Sequence, residues 1–286
     1  MMNHRQKLSI AIPASIISDV PHLREKTLRI GLVGRAVAIF RVHEIIVFSD
    51  AVGSDQSKEA RLIATILSYM ETPQYLRKRL FKIKPELRYV GILPPLRTPH
   101  HPLINKLKDL TVGEYREGVV VASVKNGSLI DIGVERPILI SKKRIPIDTR
   151  ATVKIGELEE TPRGVVVSHD EIEEYWGYQV VISNVTLGRL IRKRSFDLVV
   201  ATSKYGIPFK QVIQKLVKRW KKSQKVLVAF GAPTRGLHEI VAQEGLKLGE
   251  VADLVVNTIP NQGTATVRTE EALYASLAIL TSLVEK

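Results

Sequence analysis

Two stretches in the last third of the chain combine glycines with polar residues directly after apolar runs. The first is Phe230-Gly-Ala-Pro-Thr-Arg-Gly236, and the second extends from Asn257 to Arg268. Ligands of open α/β sheets bind beyond the carboxyl ends of the strands, where glycines let the backbone approach a ligand closely. Free N–H and C=O groups there could read the edge of a purine. The alternative interpretation is two tight turns closed by glycines, and the residues alone leave both open.

Other catalytic motifs are missing from the sequence. No segment fits the phosphate-binding loop G-x-x-x-x-G-K-[ST], and no His-Glu pair continues as H-E-x-x-H. With no cysteine, thiol catalysis and Cys-ligated metal sites are excluded. The adjacent His100 and His101 suit loop chemistry or a substrate contact better than a metal site, so we expect no metal. Gly31 and Gly34 have the wrong spacing for a dinucleotide fingerprint and precede a predicted strand.

The two loops need a parallel sheet to position them, and the apolar runs predict one. Buried strands are predicted at Ser9–Ile12, Ala36–Phe40, Glu44–Phe48, Asp197–Thr202, Val226–Phe230 and Asp253–Val256. Helical periodicity follows Ser54-Asp55, which would cap a helix, and recurs as an amphipathic stripe from Phe209 to Trp220. A last helix is predicted from Thr269 to Val284, with Thr269 as its cap.

The segment from Thr111 to Ser168 changes character to short strands. They are predicted at Gly118–Val124, Ser128–Ile132, Pro137–Ile140, Thr152–Ile155 and Gly164–Val167, with a tight turn at Asn126-Gly127. Short strands with almost no helical periodicity predict a small barrel of the OB type, and the first hairpin resembles that of S1-like OB domains. Prolines between Pro85 and Pro102 mark a domain crossing. We therefore predict an α/β domain in two parts, 1–100 and 169–286, split by a barrel at 101–168.

The composition predicts a soluble, cytoplasmic protein with a polyanionic partner. Lys and Arg total 43 against 29 Asp and Glu, which gives a net charge of +14. Nucleic acid is the first candidate partner, and an anionic membrane surface is the second, although we find neither an amphipathic anchor nor an apolar span. The N-terminal segment also lacks the apolar core of a signal peptide.

Three basic runs suit RNA phosphates, although each alone could be an ordinary solvated surface. The runs are Arg77–Lys84, Arg189–Arg194 and Lys215–Lys225. The RNA-binding candidates within them are Arg77, Lys78, Arg79, Arg192, Lys193 and Arg194.

Six short motifs spread along the chain resemble one family. They are Tyr75-Leu-Arg-Lys-Arg-Leu-Phe81, Leu87-Arg-Tyr-Val-Gly-Ile-Leu-Pro-Pro-Leu96, Pro99-His-His-Pro102, Tyr175-Trp-Gly-Tyr178, Thr202-Ser203 and Arg268-Thr-Glu-Glu-Ala272. Together with the two loops they resemble the SPOUT (α/β-knot) methyltransferases, above all the archaeal–eukaryotic branch of RNA methyltransferases with an inserted OB-like domain. The resemblance implies a trefoil-knotted parallel sheet, a homodimer, and S-adenosylmethionine as a methyl donor bound within the knot.

The resemblance also implies a set of cofactor-binding residues. Carried onto this sequence, they are Thr202, Ser203, Gly231, Gly236, Asn257, Thr258, Ile259, Gln262 and Gly263. For Ile259, simple packing within the loop is the alternative interpretation.

The chemistry of methyl transfer points to three candidate catalytic residues. Transfer to a base nitrogen or a ribose oxygen requires alignment and the loss of one proton. Arg268 is the first candidate because a guanidinium can clamp a phosphate or a base, with a surface ion pair to Glu270 or Glu271 as the alternative. Arg35 resembles an arginine that the family points toward the other subunit's site, and a purely structural arginine is its alternative. Glu270 could accept a proton or cap a helix.

The leading hypothesis is therefore an S-adenosylmethionine-dependent methyltransferase that acts on structured ribosomal RNA. The target nucleotide stays open, as does the choice between a base nitrogen and the 2′-hydroxyl. Uridine N3 is one candidate, because its weakly acidic N–H needs little help from a base. The rival hypothesis is a non-catalytic RNA-binding or ribosome-assembly factor that keeps the knot as a scaffold. Intact Asn257, Gln262, Gly263 and Arg268 favour the enzyme.

Overall fold

The computed structural model describes residues 6–159 and 161–283, which form two units. The first unit takes its described residues from 1–68, 86–95 and 178–286, and the second from 69–85 and 96–177. The outermost residues of the predicted parts 1–100 and 169–286, and Val284 of the predicted last helix, lie outside the described residues. No helix in the described stretches is long and apolar enough to cross a membrane.

The strands fall into two separate sheets. They are β1 (Lys7–Pro13), β2 (Glu44–Phe48), β3 (Tyr115–Val124), β4 (Gly127–Asp131), β5 (Ile138–Ser141), β6 (Arg150–Glu157), β7 (Arg163–Val167), β8 (Gln179–Ser183), β9 (Leu198–Pro208), β10 (Lys225–Ala229) and β11 (Leu254–Asn257). The helices are α1 (Leu23–Ile39), α2 (Ser57–Glu71), α3 (Gln74–Leu80), α4 (Leu187–Lys193), α5 (Phe209–Lys222), α6 (Leu237–Ala242), α7 (Leu248–Val251) and α8 (Thr269–Ser282).

A six-stranded sheet forms the centre of the first unit, with the order β11-β9-β10-β1-β2-β8. Every neighbouring pair is parallel. The central strands β1 and β10 are almost wholly buried, as parallel strands usually are. The edge strand β8 is largely exposed and was not predicted, because its apolar run from Val180 to Ile182 is only three residues long. Every other strand of this sheet coincides with a predicted strand. One predicted strand does not form.

The exception is Ala36–Phe40, which does not form a strand. Ala36 to Ile39 are the last turn of α1, and Phe40 is the residue that ends the helix. Parallel neighbours such as β1 and β2 need a crossover segment to bring the chain back, and α1 is that segment. A short apolar run cannot be told from a buried helical turn by periodicity, which is why the prediction was wrong.

Gly31 and Gly34 therefore lie inside α1 and do not precede a strand. A Cβ at Gly31 would come within 2.7 Å of Leu93 Cδ2, so this glycine permits a close approach between the helix and the proline-rich segment. Packing, and not nucleotide binding, explains this glycine.

Helices position the loops of the first unit by burying one apolar face. The predicted stripe of α5 is confirmed, because Val212, Leu216 and Trp220 are buried. The last helix, α8, begins at Thr269 as predicted, but its N-cap residue is Arg268. Thr269 does not act as the cap, since its hydroxyl donates to Gly231 O at 2.9 Å.

The second unit contains a closed barrel of five strands in the order β3-β4-β5-β7-β6. β3 pairs antiparallel with both β4 and β6, which closes the barrel, and β5 pairs parallel with β7. Its core is aliphatic and includes Val120, Ile130, Ile138 and Val153. The predicted segment 101–168 lies within this unit, which also includes residues 69–85.

The turn between β3 and β4 differs by one residue from the predicted Asn126-Gly127. It consists of Lys125 and Asn126, and Gly127 is the first residue of β4. Gly127 has a φ of +151°, and a Cβ there would lie 1.9 Å from Ile140 O. The glycine is therefore required by the close approach of β5 and not by the turn itself.

A buried ion-pair cluster joins the end of α2 to the barrel. In this cluster Arg150 Nε lies 2.5 Å from Glu117 Oε2, and Arg150 Nη1 lies 2.6 Å from Glu71 Oε2. Trp176 Nε1 donates to Glu117 Oε1 at 2.6 Å, and Thr152 Oγ1 donates to the same atom at 2.5 Å. Both carboxylates are buried, so their charge depends on these partners.

Burial alone would raise the pKa of both carboxyls, but their partners outweigh it. Hydrogen bonds from His100 and Arg150, with the charge of Arg150, lower the pKa of Glu71 to about 2. His169, Arg150, Thr152 and Trp176 hold the pKa of Glu117 well below its usual range. Both carboxyls are therefore ionised at neutral pH.

The adjacent histidines both contact this cluster through the backbone carbonyl of Glu71. His100 Nε2 and His101 Nε2 lie 2.9 and 2.6 Å from Glu71 O. Burial, with the neighbouring His100, lowers the pKa of His101 to about 4, so the ring is neutral at physiological pH. The predicted substrate contact is wrong for His100, which is fully buried.

We predict that Arg150→Ala destabilises the second unit strongly, because it leaves two buried carboxylates without their shared cation. The expected loss is about 3–5 kcal/mol in the free energy of unfolding. Urea unfolding in a Trp220→Phe background measures it, since fluorescence then reports Trp176 alone. Arg163→Ala is the control, because Arg163 contacts Glu157 at 3.4 Å and both side chains are exposed. Losing this contact should lower the free energy of unfolding by at most about 1 kcal/mol. Equal losses in the two variants would contradict a buried, charge-dependent cluster.

Candidate functional site

The predicted cofactor residues meet at one edge of the first unit's sheet. β11, β9 and β10 are consecutive parallel strands, so the segments that follow their carboxyl ends share that edge. The first loop follows β10 and covers residues 230–236, and the second loop follows β11 and covers residues 258–268. A hydrogen bond from Thr269 Oγ1 to Gly231 O, 2.9 Å long, joins the end of the second loop to the start of the first.

A break in the pairing of β9 brings a third segment to this edge. Val255 pairs with Ala201, whereas the next residue, Val256, pairs with Ile207, so residues 202–206 leave the ladder. Thr202 Oγ1 donates to Ala229 O at 3.0 Å, and Ser203 Oγ accepts from Tyr205 N at 3.1 Å. Thr202 thus lies beside the strand end from which the first loop starts, whereas the hydroxyl of Ser203 shapes the backbone of its own segment.

The first loop is closed by its own backbone. Ala232 N donates to Arg235 O at 2.9 Å, which folds the loop into a tight turn. A Cβ at Gly231 would lie 3.2 Å from Arg235 O, so a larger residue would crowd this turn. A Cβ at Gly236 would meet open space, because this glycine faces outward at the start of α6.

A buried aspartate that the sequence analysis did not identify supports the first loop. Asp50 Oδ2 lies 3.1 Å from Arg235 Nη2 and accepts from Ser15 Oγ at 2.6 Å. Asp50 Oδ1 accepts from Ser15 N at 3.1 Å and from Gln56 Nε2 at 2.9 Å. The only signal for Asp50 in the sequence is its position just after β2, where an acid also suits an ordinary turn. Its carboxylate anchors the one guanidinium of the loop.

The two predicted amides shape the second loop with their side chains. Asn257 Oδ1 accepts from Ile259 N at 3.0 Å, and Asn257 Nδ2 donates to Lys204 O at 3.0 Å. Gln262 Nε2 donates to Thr264 O at 2.9 Å. Both amides therefore fix the course of the main chain in and beside this loop.

Thr258 and Gly263 of the second loop differ sharply in burial. Thr258 is buried, and its Oγ1 lies 2.7 Å from Ser276 Oγ of α8, so its side chain faces the core. Gly263 is exposed, and a Cβ there would meet open space. Only the backbone of Thr258 could contact a ligand, whereas any side chain added at Gly263 would project outward.

The three predicted catalytic residues have different surroundings. Arg268 is exposed, its backbone N–H donates to Glu271 Oε2 at 2.9 Å, and no ion pair within the described residues joins its guanidinium to Glu270 or Glu271. Arg35 is half-buried and donates to Pro95 O at 3.0 Å. Glu270 is buried on the inner side of α8 and does not share the exposure of Arg268.

Glu270 pairs with an arginine that the sequence analysis did not consider. Arg29 Nε lies 3.4 Å from Glu270 Oε1, and the same guanidinium contacts Asp19. Glu270 Oε2 is buried without a hydrogen-bond partner. Burial raises the pKa of Glu270 above its ordinary value, although Arg29 opposes the rise. The carboxyl therefore lies against α1 and not toward the two loops.

The predicted RNA-binding residues are exposed to different degrees. Arg192 and Lys193 are exposed in the last turn of α4, whereas Arg194 pairs with Glu44 Oε1 at 2.9 Å. In the second unit, Lys78 is exposed. Its neighbours Arg77 and Arg79 are committed to Thr72 O at 2.8 Å and Asp148 Oδ1 at 2.8 Å. The exposed cations are the ones that could contact a polyanion directly.

A cavity of about 270 Å³ lies at the same edge of the sheet but beyond the carboxyl ends of β1, β2 and β8. Hydroxyl and amide side chains, among them Ser49, Gln56, Ser183 and Asn184, line much of it. It is separate from the two loops, so the predicted cofactor residues do not line it. In residues 6–159 and 161–283, no group of His, Asp and Glu side chains could hold a metal ion.

Comparison with known proteins gives matches that cover nearly the whole of this chain. The family model described as "Putative RNA methyltransferase" matches residues 7–280. A 28S rRNA (uridine-N(3))-methyltransferase of Drosophila melanogaster is 34% identical over 96% of this chain, and the match spans 61% of that longer relative. The human protein of the same name is 32% identical over 96% of this chain and 77% of its own length. An uncharacterized protein of Haloarcula marismortui is 32% identical, over 96% of this chain and 98% of that protein.

We predict that Gly263→Val preserves the fold but lowers the affinity for S-adenosylmethionine, the expected cofactor, by about tenfold or more. The isopropyl group would project from the second loop into the open space that a ligand would fill. Isothermal titration calorimetry measures the affinity, and circular dichroism checks the fold. Gly249→Val in α7 is the matched control, since a Cβ there also meets open space but lies outside both loops. Unchanged affinity in the Gly263 variant would rule out this loop as the binding site.

Proposed function

We propose, from the premise that this chain belongs to the SPOUT family of RNA methyltransferases, that it methylates N3 of a uridine in ribosomal RNA. The Drosophila and human relatives carry that activity in their names, over nearly the whole of this chain. One structural observation carries the proposal: two loops from consecutive parallel strands meet at a single edge and are hydrogen-bonded to each other. Such an edge is where open α/β sheets bind their ligands.

S-adenosylmethionine fits the two loops as the methyl donor. Gly236 and Gly263 face open space, and the side chains of Asn257 and Gln262 are engaged in holding the backbone. Main-chain N–H and C=O groups of this kind can pair with an adenine edge, and the loop glycines admit a ligand close to the chain. When bound, the cofactor supplies an electrophilic methyl group.

The finer features implied by the resemblance are part of the proposal. The chain order is compatible with a trefoil knot: β11 lies beside β9, the following loop bonds to Gly231 beyond β10, and α8 then packs on α1. For the barrel, strand order, closure of β3 on β6 and the parallel β5–β7 pair match the OB pattern of five strands.

A homodimer through α1 is also proposed. Leu28, Leu32 and Ile39 are exposed at 46%, 36% and 49%, and their spacing sets them on one face of the helix. Arg35 falls between them on the same face. A second copy of the chain packed on this stripe would cover the apolar side chains and bring Arg35 toward the other subunit.

In the proposed reaction, the uridine N3–H bond breaks, its proton leaves to solvent, and the N3–methyl bond forms as the donor's sulfur–methyl bond breaks. Arg268 is suited to act on the nucleotide, because an exposed guanidinium beside the second loop can stabilise the negative charge of deprotonated uracil. Glu270 is not assigned as the base, since its carboxyl is buried against Arg29. It instead holds the first turn of α8, and thereby Arg268, against α1.

The test of the proposed activity is direct. Purified protein is incubated with tritiated S-adenosylmethionine and unmodified ribosomal RNA, and the product is mapped by reverse transcription. A methyl group on uridine N3 blocks Watson–Crick pairing, so we expect a stop at one uridine. Methylation of a ribose 2′-hydroxyl would overturn the assignment of N3. No transfer at all, together with tight RNA binding, would favour the rival hypothesis of a non-catalytic assembly factor.

We predict that Arg268→Ala slows methyl transfer by about 100-fold under single-turnover conditions with RNA and cofactor both saturating. Saturation removes any effect on binding, so the remaining loss reflects charge stabilisation in the reaction. Arg192→Ala is the matched control, because it removes the same charge from an exposed arginine outside both loops and should react at the wild-type rate. A wild-type rate for the Arg268 variant would show that Arg268 has no catalytic role.

A further inference from the structure

Strand pairing brings together cations that are distant in the sequence, and they lie at one end of the barrel. Lys125 lies in the turn between β3 and β4, and Lys142, Lys143 and Arg144 directly follow β5. The two segments are neighbours, because Lys142 N donates to Asn126 O at 2.8 Å. All four side chains are exposed, and we call them the basic turn cluster.

The backbone that carries the basic turn cluster is fixed from within the barrel. Ser128 is fully buried; its hydroxyl donates to Lys143 O at 3.0 Å and accepts from Ile145 N at 2.9 Å. Lys142 has a φ of +59°, a left-handed conformation that is uncommon for a residue with a side chain. The cations therefore project from a turn whose backbone is already ordered before a ligand binds.

No negative charge in the nearby sequence offsets this cluster. Residues 118–130 and 137–147 contain no Asp or Glu. Among the described residues, none of the ion pairs includes any of the four cations, whereas Arg79 pairs with Asp148 and Arg163 with Glu157 in the same unit. The cluster thus presents a concentrated positive charge suited to an anionic backbone.

The composition of the barrel decides which part of a nucleic acid it could contact. The five barrel strands contain a single aromatic residue, Tyr115 at the start of β3, and its ring is half-buried with its centroid 6.0 Å from that of Trp176. Reading of unpaired bases generally relies on aromatic side chains on which the bases stack. Lysine and arginine contacts to phosphates instead position the RNA and carry no sequence information.

We propose that the basic turn cluster is a phosphate-binding site that holds the backbone of the RNA substrate without reading its bases. This inference rests on the proposed function and adds a second contact surface to it. In OB-type barrels the turn between the first two strands is a usual nucleic-acid contact, and Lys125 occupies that turn here.

The test compares two double variants that lose the same charge from opposite ends of the barrel. Lys125→Ala/Lys143→Ala removes two lysines of the cluster. Lys106→Ala/Lys108→Ala removes two exposed lysines next to Leu107, whose N–H bonds to Glu135 beyond the other end of β4. Binding of two labelled RNA stem-loops of unrelated sequence is measured by fluorescence anisotropy between about 50 and 200 mM salt.

We expect the cluster variant to raise Kd about tenfold for both RNAs. The slope of the logarithm of the binding constant against the logarithm of the salt concentration should become less negative by about 0.7–0.9 for each phosphate that the protein no longer neutralises. Lys125→Arg/Lys143→Arg should restore binding, which excludes a folding defect. Wild-type affinity of the cluster variant, an equal loss of affinity in the control, or a weaker affinity for only one RNA would each overturn the inference.

Methyl transfer to ribosomal RNA is measured in parallel, so that the two proposals fail separately. The cluster variant should need about tenfold more RNA to reach half of its maximal rate of methyl transfer, because the cluster is proposed to hold the RNA backbone and not the reacting nucleotide. If the wild-type protein transfers no methyl group but the binding pattern holds, the proposed function fails and the phosphate site stands. If transfer occurs and the cluster variant binds RNA normally, the phosphate site fails and the proposed function stands.

Discussion

Parallel pairing of β9 with both β10 and β11 is the constraint on which the candidate site depends. Because three neighbouring strands end at the same edge, the segments that follow them converge although they are far apart in the chain. The loops are then held by the hydrogen bonds of their own side chains, such as those of Asn257, Gln262 and Thr258. Asp50 extends the same support to the first loop through Arg235.

Positive charge has different roles in different parts of the molecule. In the second unit, Arg150 is held between two buried carboxylates and is needed for packing, since either carboxylate alone would be costly to bury. The lysines and arginine of the basic turn cluster are exposed and lack such partners, so their charge acts outward. The total of 43 Lys and Arg therefore overstates the number of cations free to contact RNA, because some of them, such as Arg150, are held by buried carboxylates.

Much of this architecture could be predicted from the sequence, and the failures have physical causes. Continuous apolar runs identified the buried parallel strands, and the family match confirms the resemblance to SPOUT RNA methyltransferases that the short motifs indicated. The error at Ala36–Phe40 arose because a buried helical turn and a buried strand share the same composition. Asp50 and the basic turn cluster escaped because their significance comes from tertiary neighbours, Arg235 in one case and the turn beside β5 in the other. Burial of Glu270 was equally invisible, because its partner Arg29 lies in α1, far away in the sequence.

The order of the strands also determines when the site can exist during synthesis. β1 is made first, yet one of its partners, β10, follows only after the barrel and α5 have been made. The hydrogen bond from Thr269 to Gly231 requires β11 to be seated beside β9, so it forms after nearly the whole chain has emerged. Contacts between such distant segments form slowly, because the intervening chain must first be ordered. A ribosome-bound fragment that ends before Thr269 would therefore lack the hydrogen bond that joins the two loops.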